Sequence, residues 1–122
     1  MAGSYFQRNR AIPCRPGGGL CSELQTAVRE QVPVRVIVFD DRTLSLIRVK
    51  QQQRGYATRG VAMGATKWDH IGAAFGVATR TVADESALTA ALGETEDLRG
   101  PVLIAAQIAA DTYDATIRAL RG

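Results

Sequence analysis

One histidine and two cysteines are all that 122 residues offer of the imidazole and thiol side chains used most often for zinc binding and thiol chemistry. His70, Cys14 and Cys21 are too few to close a zinc site, which takes four ligands. Two cysteines make no disulfide framework. No second histidine is present to serve as a base for a thiol, so Cys14 and Cys21 are expected to be free and non-catalytic. No apolar run approaches the roughly 20 residues that span a bilayer. The opening "MAGSYFQRNRAIPCRPGGG" lacks the apolar core of a secretory signal. The expectation is a cytoplasmic protein with no membrane partner.

What is present is ordinary for one soluble domain: 46% hydrophobic and 22% charged residues, with a formal net charge of +3. The charge is unevenly spread. Residues 1 to 60 hold ten Lys/Arg against four Asp/Glu, and residues 61 to 122 hold five against eight. The arginines from Arg8 to Arg59 are scattered, and Tyr5, Phe6, Phe39 and Tyr56 lack the spacing of a base-stacking platform, so no nucleic-acid partner is expected.

Residues 1 to 20 read as an irregular segment, with two prolines and three consecutive glycines. From Ser22, a plausible N-cap, Leu24, Ala27 and Val28 repeat at helical spacing. Pro33 precedes a β-branched strand from Val34 to Phe39. "LSLIRVKQQQRG" predicts a short helix ending at Gly55, followed by the glycine-punctuated loop "YATRGVAMGATKW". Asp69 reads as the cap of a helix stopped by Gly76, "VATRTVA" as a strand, and Asp84 as the cap of the helix "ESALTAALGETEDL" with Leu88, Ala91 and Leu92 inward. "PVLIAAQI" is a third strand. A closing helix runs from Asp111, with Arg118 and Arg121 at its end. Strands alternating with helices predict an α/β fold: a partial doubly wound, Rossmann-like parallel sheet with helices on both faces.

The first strand runs into Asp40 and Asp41. In open α/β sheets ligands sit at the carboxyl ends of the strands, and hard divalent cations take carboxylate and carbonyl oxygens. Two readings are open on the residues alone. The pair ligates Mg²⁺, or it caps the following helix, whose N-terminal dipole favours negative charge.

The stretches "ELQTAVREQVPVRVIVFDD", "LSLIRVKQQQRG", "WDHIGAAFGVATRTVADESALTAAL" and "GPVLIAAQI" resemble, in order and spacing, the last portion of the cofactor-binding domain of thiamine-diphosphate enzymes of the acetolactate synthase and benzoylformate decarboxylase type. The resemblance divides the chain into a segment 1–20 and a C-terminal domain portion 21–122. It implies thiamine diphosphate and Mg²⁺ as cofactors. Asp41 and the carbonyl of Thr43 become the metal ligands, and Asp41, Thr43 and Leu44 the cofactor-binding residues. Asp40 takes a position more often occupied by Asn in the family.

The family's upstream Gly-Asp-Gly turn should fall at Pro13, Cys14 and Arg15, where this chain has neither glycine nor acid. The glutamate that activates the cofactor belongs in the family to a separate N-terminal domain, so no catalytic residue is assigned here. His70 is expected at the surface. Trp68 and Phe75 are expected in the core or an interface, and Arg42 as a surface counter-charge. The expected function is a truncated cofactor-binding domain of a lyase or transferase that forms or cleaves a carbon–carbon bond next to a carbonyl, inactive alone. The alternatives are a small subunit that completes its site with a partner chain, or a non-catalytic assembly module. Either self-association or a partner carrying the pyrimidine-binding domain is expected.

Overall fold

The run Arg35–Asp40 is extended because Val36, Ile37 and Val38 are β-branched and both of its faces find apolar partners. In the computed structural model the backbone is described for residues 2–7, 10–14 and 19–111, with Ala115 and Ala119 beyond, and side chains from Glu23 onward. In chain order the elements are β1 (Ala2–Gln7), β2 (Arg10–Cys14), α1 (Gly19–Arg29), β3 (Arg35–Asp40), α2 (Ser45–Gln53), α3 (Trp68–Phe75), β4 (Ala78–Val82), α4 (Glu85–Glu94) and β5 (Val102–Gln107). The sheet order is β2-β1-β3-β5-β4. Strands β3, β5 and β4 run parallel, whereas β1 is antiparallel to both β2 and β3.

The α/β fold with helices on both faces of a parallel sheet is therefore present. Side-chain alternation sorts β3 and β5 into two cores. Val36, Val38 and Leu103 face one way, with Leu24 of α1 and Trp68 and Phe75 of α3 packed on them. Ile37, Val102, Ile104 and Ala106 face the other way, under Ala87, Leu88 and Ala91 of α4. Val102, Leu103 and Ile104 have no exposed surface at all. Each such aliphatic side chain contributes about 1.5–3 kcal/mol by leaving water.

Four details differ from the sequence-based expectations. Residues 2–7 and 10–14, expected to be irregular, form the antiparallel strands β1 and β2, which extend the sheet past β3. Pro13 lies in β2, an edge strand, where a residue without an N–H is tolerated. Helix α1 begins at Gly19, ahead of Ser22. Helix α3 begins at Trp68 with Lys67 at the cap position, and Asp69 lies in its first turn. Helix α4 stops at Glu94 and leaves Leu92 exposed. Thr95 ends that helix by turning its hydroxyl back to the Ala91 carbonyl (2.7 Å), while Arg35 donates to the Thr95 carbonyl. Asp84 does cap α4, accepting from the Ala87 amide at 2.8 Å. The closing helix, apart from Ala115 and Ala119, and Arg118 and Arg121 within it, lie outside the described residues.

Helix α3 approaches β4 closely at Gly72, which is buried. A Cβ there would collide with Thr79 Oγ1 and come within 3.1 Å of the Val77 carbonyl oxygen. Alanine is favoured over glycine within helices by about 1 kcal/mol, yet overpacking of this kind costs about 1–3 kcal/mol. Gly72→Ala is therefore expected to lower the urea midpoint, and adding Thr79→Ala to recover part of the loss. A midpoint raised by Gly72→Ala would contradict this packing.

Candidate functional site

Asp40 is the last residue of β3, and its carbonyl accepts the Ile108 amide (3.1 Å) just past the end of β5. The parallel register sets Asp40 beside Gln107. Both acids thus stand at the carboxyl end of the sheet, the position expected for a ligand site. Beyond them the chain turns sharply. Arg42 has φ +56°, in the left-handed region that non-glycine residues seldom enter, and its side chain is exposed.

Two side chains hold this turn from within. Asp40 Oδ1 accepts the Arg42 amide at 2.9 Å, and Asp41 Oδ1 accepts the Thr43 amide at 3.0 Å. They are successive turns of the kind in which an aspartate caps the backbone two residues on. Asp41 Oδ2 also accepts the hydroxyl of Ser45, which is completely buried at the start of α2. Asp41 itself is only 8% exposed. Asp40 Oδ2 turns to α3, where the indole Nε1–H of Trp68 donates to it at 2.7 Å.

The loop after α2 returns to the turn. Thr43 faces Ala62 in a short antiparallel bridge, flanked by Leu44 N–H to the Val61 carbonyl (2.8 Å) and Met63 N–H to the Arg42 carbonyl (2.9 Å). Thr43 occupies the non-hydrogen-bonded position of that bridge, so its own N–H and C=O take no part in it. The N–H goes to Asp41. The C=O is left out of the pairing.

The structure thus brings Asp41, Thr43 and Leu44 into one turn. Leu44 precedes α2 and is half-buried, whereas Leu46 is exposed. His70 is exposed beside Asp69, as expected, and Trp68 and Phe75 pack on the first core. The side chains of Cys14 and Cys21 lie outside the described residues, as does Arg15; the backbone at Pro13 and Cys14 is strand β2. Among the described residues no three His, Cys, Asp or Glu side chains converge, and no helix is long and apolar enough to cross a membrane. A groove of about 470 Å³ beside Pro33, Arg35 and residues 96–99, and another of about 310 Å³ beside Glu23 and Val32, do not include the acidic pair. Sequence reasoning missed Ser45 and the Asp40–Trp68 bond. The first carries a local signal, a small hydroxyl four residues after an acid; the second joins residues 28 apart and carries none.

Burial pushes the Asp41 carboxyl up, but the Ser45 hydroxyl and the Thr43 amide pull it down further, and its pKa lies below the ordinary carboxylate value. A carboxyl depressed on folding contributes stability that is present above the unfolded value of about 3.9 and is lost as pH falls through the folded one. Ser45→Ala removes one of the lowering donors. A hydrogen bond to a charged group contributes about 1.5–3 kcal/mol, so this variant is expected to lose stability of that order at pH 7. NMR titration should place its Asp41 carboxyl higher than in the wild type, and its acid unfolding should begin at higher pH. An unchanged acid limb would contradict the role given to Ser45.

The sequence model of the family described as thiamine pyrophosphate enzyme, C-terminal TPP binding domain, matches residues 18–106. The chain is 29% identical over 89 residues to the acetolactate synthase large subunit of Pyropia yezoensis. That match covers 70% of this chain and 15% of the relative's length. The family match takes in α1, β3, β4, β5 as far as Ala106 and the whole acidic turn, and on that evidence the chain belongs to the C-terminal TPP-binding domains of thiamine pyrophosphate enzymes.

Proposed function

We propose that this chain supplies the diphosphate-and-cation side of a thiamine-diphosphate site, with Mg²⁺ held by the Asp41 carboxylate and the Thr43 carbonyl, and Leu44 beside the cofactor. The observation that carries the reading is the turn itself. Asp41 is held ionised by Ser45 and Thr43, and the Thr43 carbonyl stands outside the bridge with Ala62. Both are hard oxygen donors, and they fit a small divalent cation. Magnesium usually keeps several waters and takes one or two carboxylates together with phosphate oxygens. Two protein oxygens therefore suffice to dock a metal-bound diphosphate, without the acid that the family carries upstream.

Bound thiamine diphosphate supplies an ylid and an electron sink, the chemistry of making or breaking a carbon–carbon bond next to a carbonyl. The described site residues bind and orient, and in this reading a pyrimidine-binding domain completes the site. Leu46 and Ile47 on α2, and Tyr56 and Met63 in the loop that follows, are exposed apolar side chains and support such an interaction surface.

The test is a thermal melt of the purified chain with Mg²⁺, with thiamine diphosphate, with both and with neither, repeated on Asp41→Ala. Saturation at 100 times the dissociation constant adds about 2.7 kcal/mol. The expected result is a rise in Tm that needs both ligands in the wild type and is absent from the variant relative to its own baseline. No rise in a cooperatively melting wild-type chain would overturn the reading.

A further inference from the structure

We infer that Asp40 and Trp68 are a positioning pair that fixes the Asp41–Thr43 turn, a reading that rests on the ligand role proposed for that turn. Asp40 is tied in three directions. Its carbonyl joins the end of β5 through Ile108, its Oδ1 holds the Arg42 amide, and its Oδ2 receives the Trp68 indole N–H. Trp68 opens α3 and packs against the core built on Leu24, Val36, Val38 and Leu103. The carboxylate is thereby referred to the rigid core rather than to the exposed loop after α2.

The turn needs such a reference. Arg42 holds a left-handed conformation with no glycine to ease it. Strained backbone of this kind persists only where neighbouring contacts over-determine it. Asp40 supplies one of those contacts at the Arg42 amide, and its other oxygen stops the carboxylate from rotating away.

The arrangement also accounts for an acid at position 40. Two N–H donors, Arg42 N and Trp68 Nε1, converge on the two oxygens of one carboxylate. An asparagine has one carbonyl oxygen, and its amide nitrogen would face the second donor. Asparagine fits this place only if residue 68 has no N–H to give. Asp40 is thus an acceptor between two donors, and Trp68 sets which residue position 40 accepts.

The experiment is a double-mutant cycle with a spectroscopic readout. Trp68 is the single tryptophan of the chain, so one indole N–H resonance reports on it. That resonance is expected downfield of free indole in the ligand-free wild type, and to move back in Asp40→Ala, which removes the acceptor. The dissociation constant for thiamine diphosphate in saturating Mg²⁺ is then measured by calorimetry for wild type, Asp40→Asn, Trp68→Phe and the double variant. Each single change is expected to weaken binding about tenfold, and the double also about tenfold, because asparagine causes no conflict once residue 68 is phenylalanine. A hundredfold loss in the double, or an indole resonance indifferent to Asp40→Ala, overturns the pair. If the wild type binds no cofactor, it is the cofactor reading that fails. The pair is then decided without ligand, by the indole shift and by whether the two single losses in urea midpoint fail to add in the double.

Discussion

Strands β3 and β5 run side by side over six residue pairs, and the ladder continues at each end through Val102 N–H to the Val34 carbonyl and Ile108 N–H to the Asp40 carbonyl. A parallel pair buried on both faces has no water to satisfy its backbone, so every group in it is committed to the neighbouring strand. That commitment fixes two things together. It puts Val102, Leu103 and Ile104 beyond reach of solvent, and it brings the last residue of β3 level with the last residue of β5. The point at which the acidic pair leaves the sheet is set by the same bonds that make the core.

Strand parity then separates the two acids. Asp40 continues the Val36 and Val38 series, which faces α1 and α3, and so it meets the indole of Trp68. Asp41 follows it by one residue, and its carboxylate folds back onto Thr43 and Ser45. Two adjacent like charges would repel if left bare. Here N–H and O–H donors reach them from three separate segments: the turn, the start of α2 and the start of α3. Position in the strand and local hydrogen bonding are enough to give two chemically identical residues different duties.

The parts of this structure that were legible in the sequence are those set by near neighbours. The strand that runs into the acidic pair, the stop of α2 near Gly55, the cap at Asp84 and the left-handed Gly76 that ends α3 all follow from local rules. The antiparallel pair β1 and β2 did not, because its glycine and proline argue for a loop unless the strand is known to lie at an edge. Leu92 looked inward by periodicity, but α4 covers the sheet with Ala87, Leu88 and Ala91, and small side chains let a helix sit close without a wide apolar stripe. At the site, Asp41 and Thr43 were readable because they follow one another in a turn. Trp68 was not, since nothing in the chain between residues 41 and 67 says that α3 will return its first residue to the end of β3.

The two departures from the family pattern are not one compensation. By the resemblance, the upstream Gly-Asp-Gly turn would fall at Pro13, Cys14 and Arg15, and Asp40 would be an extra acid. On charge alone the second would seem to replace the first. The geometry argues otherwise, since the Asp40 carboxylate is turned towards α3 and the core through the Trp68 indole, whereas Asp41 folds onto the turn that carries the Thr43 carbonyl. In the proposed site the chain therefore offers a cation one carboxylate and one carbonyl. The diphosphate and water must supply the rest of its coordination, so metal and cofactor should bind here together or not at all.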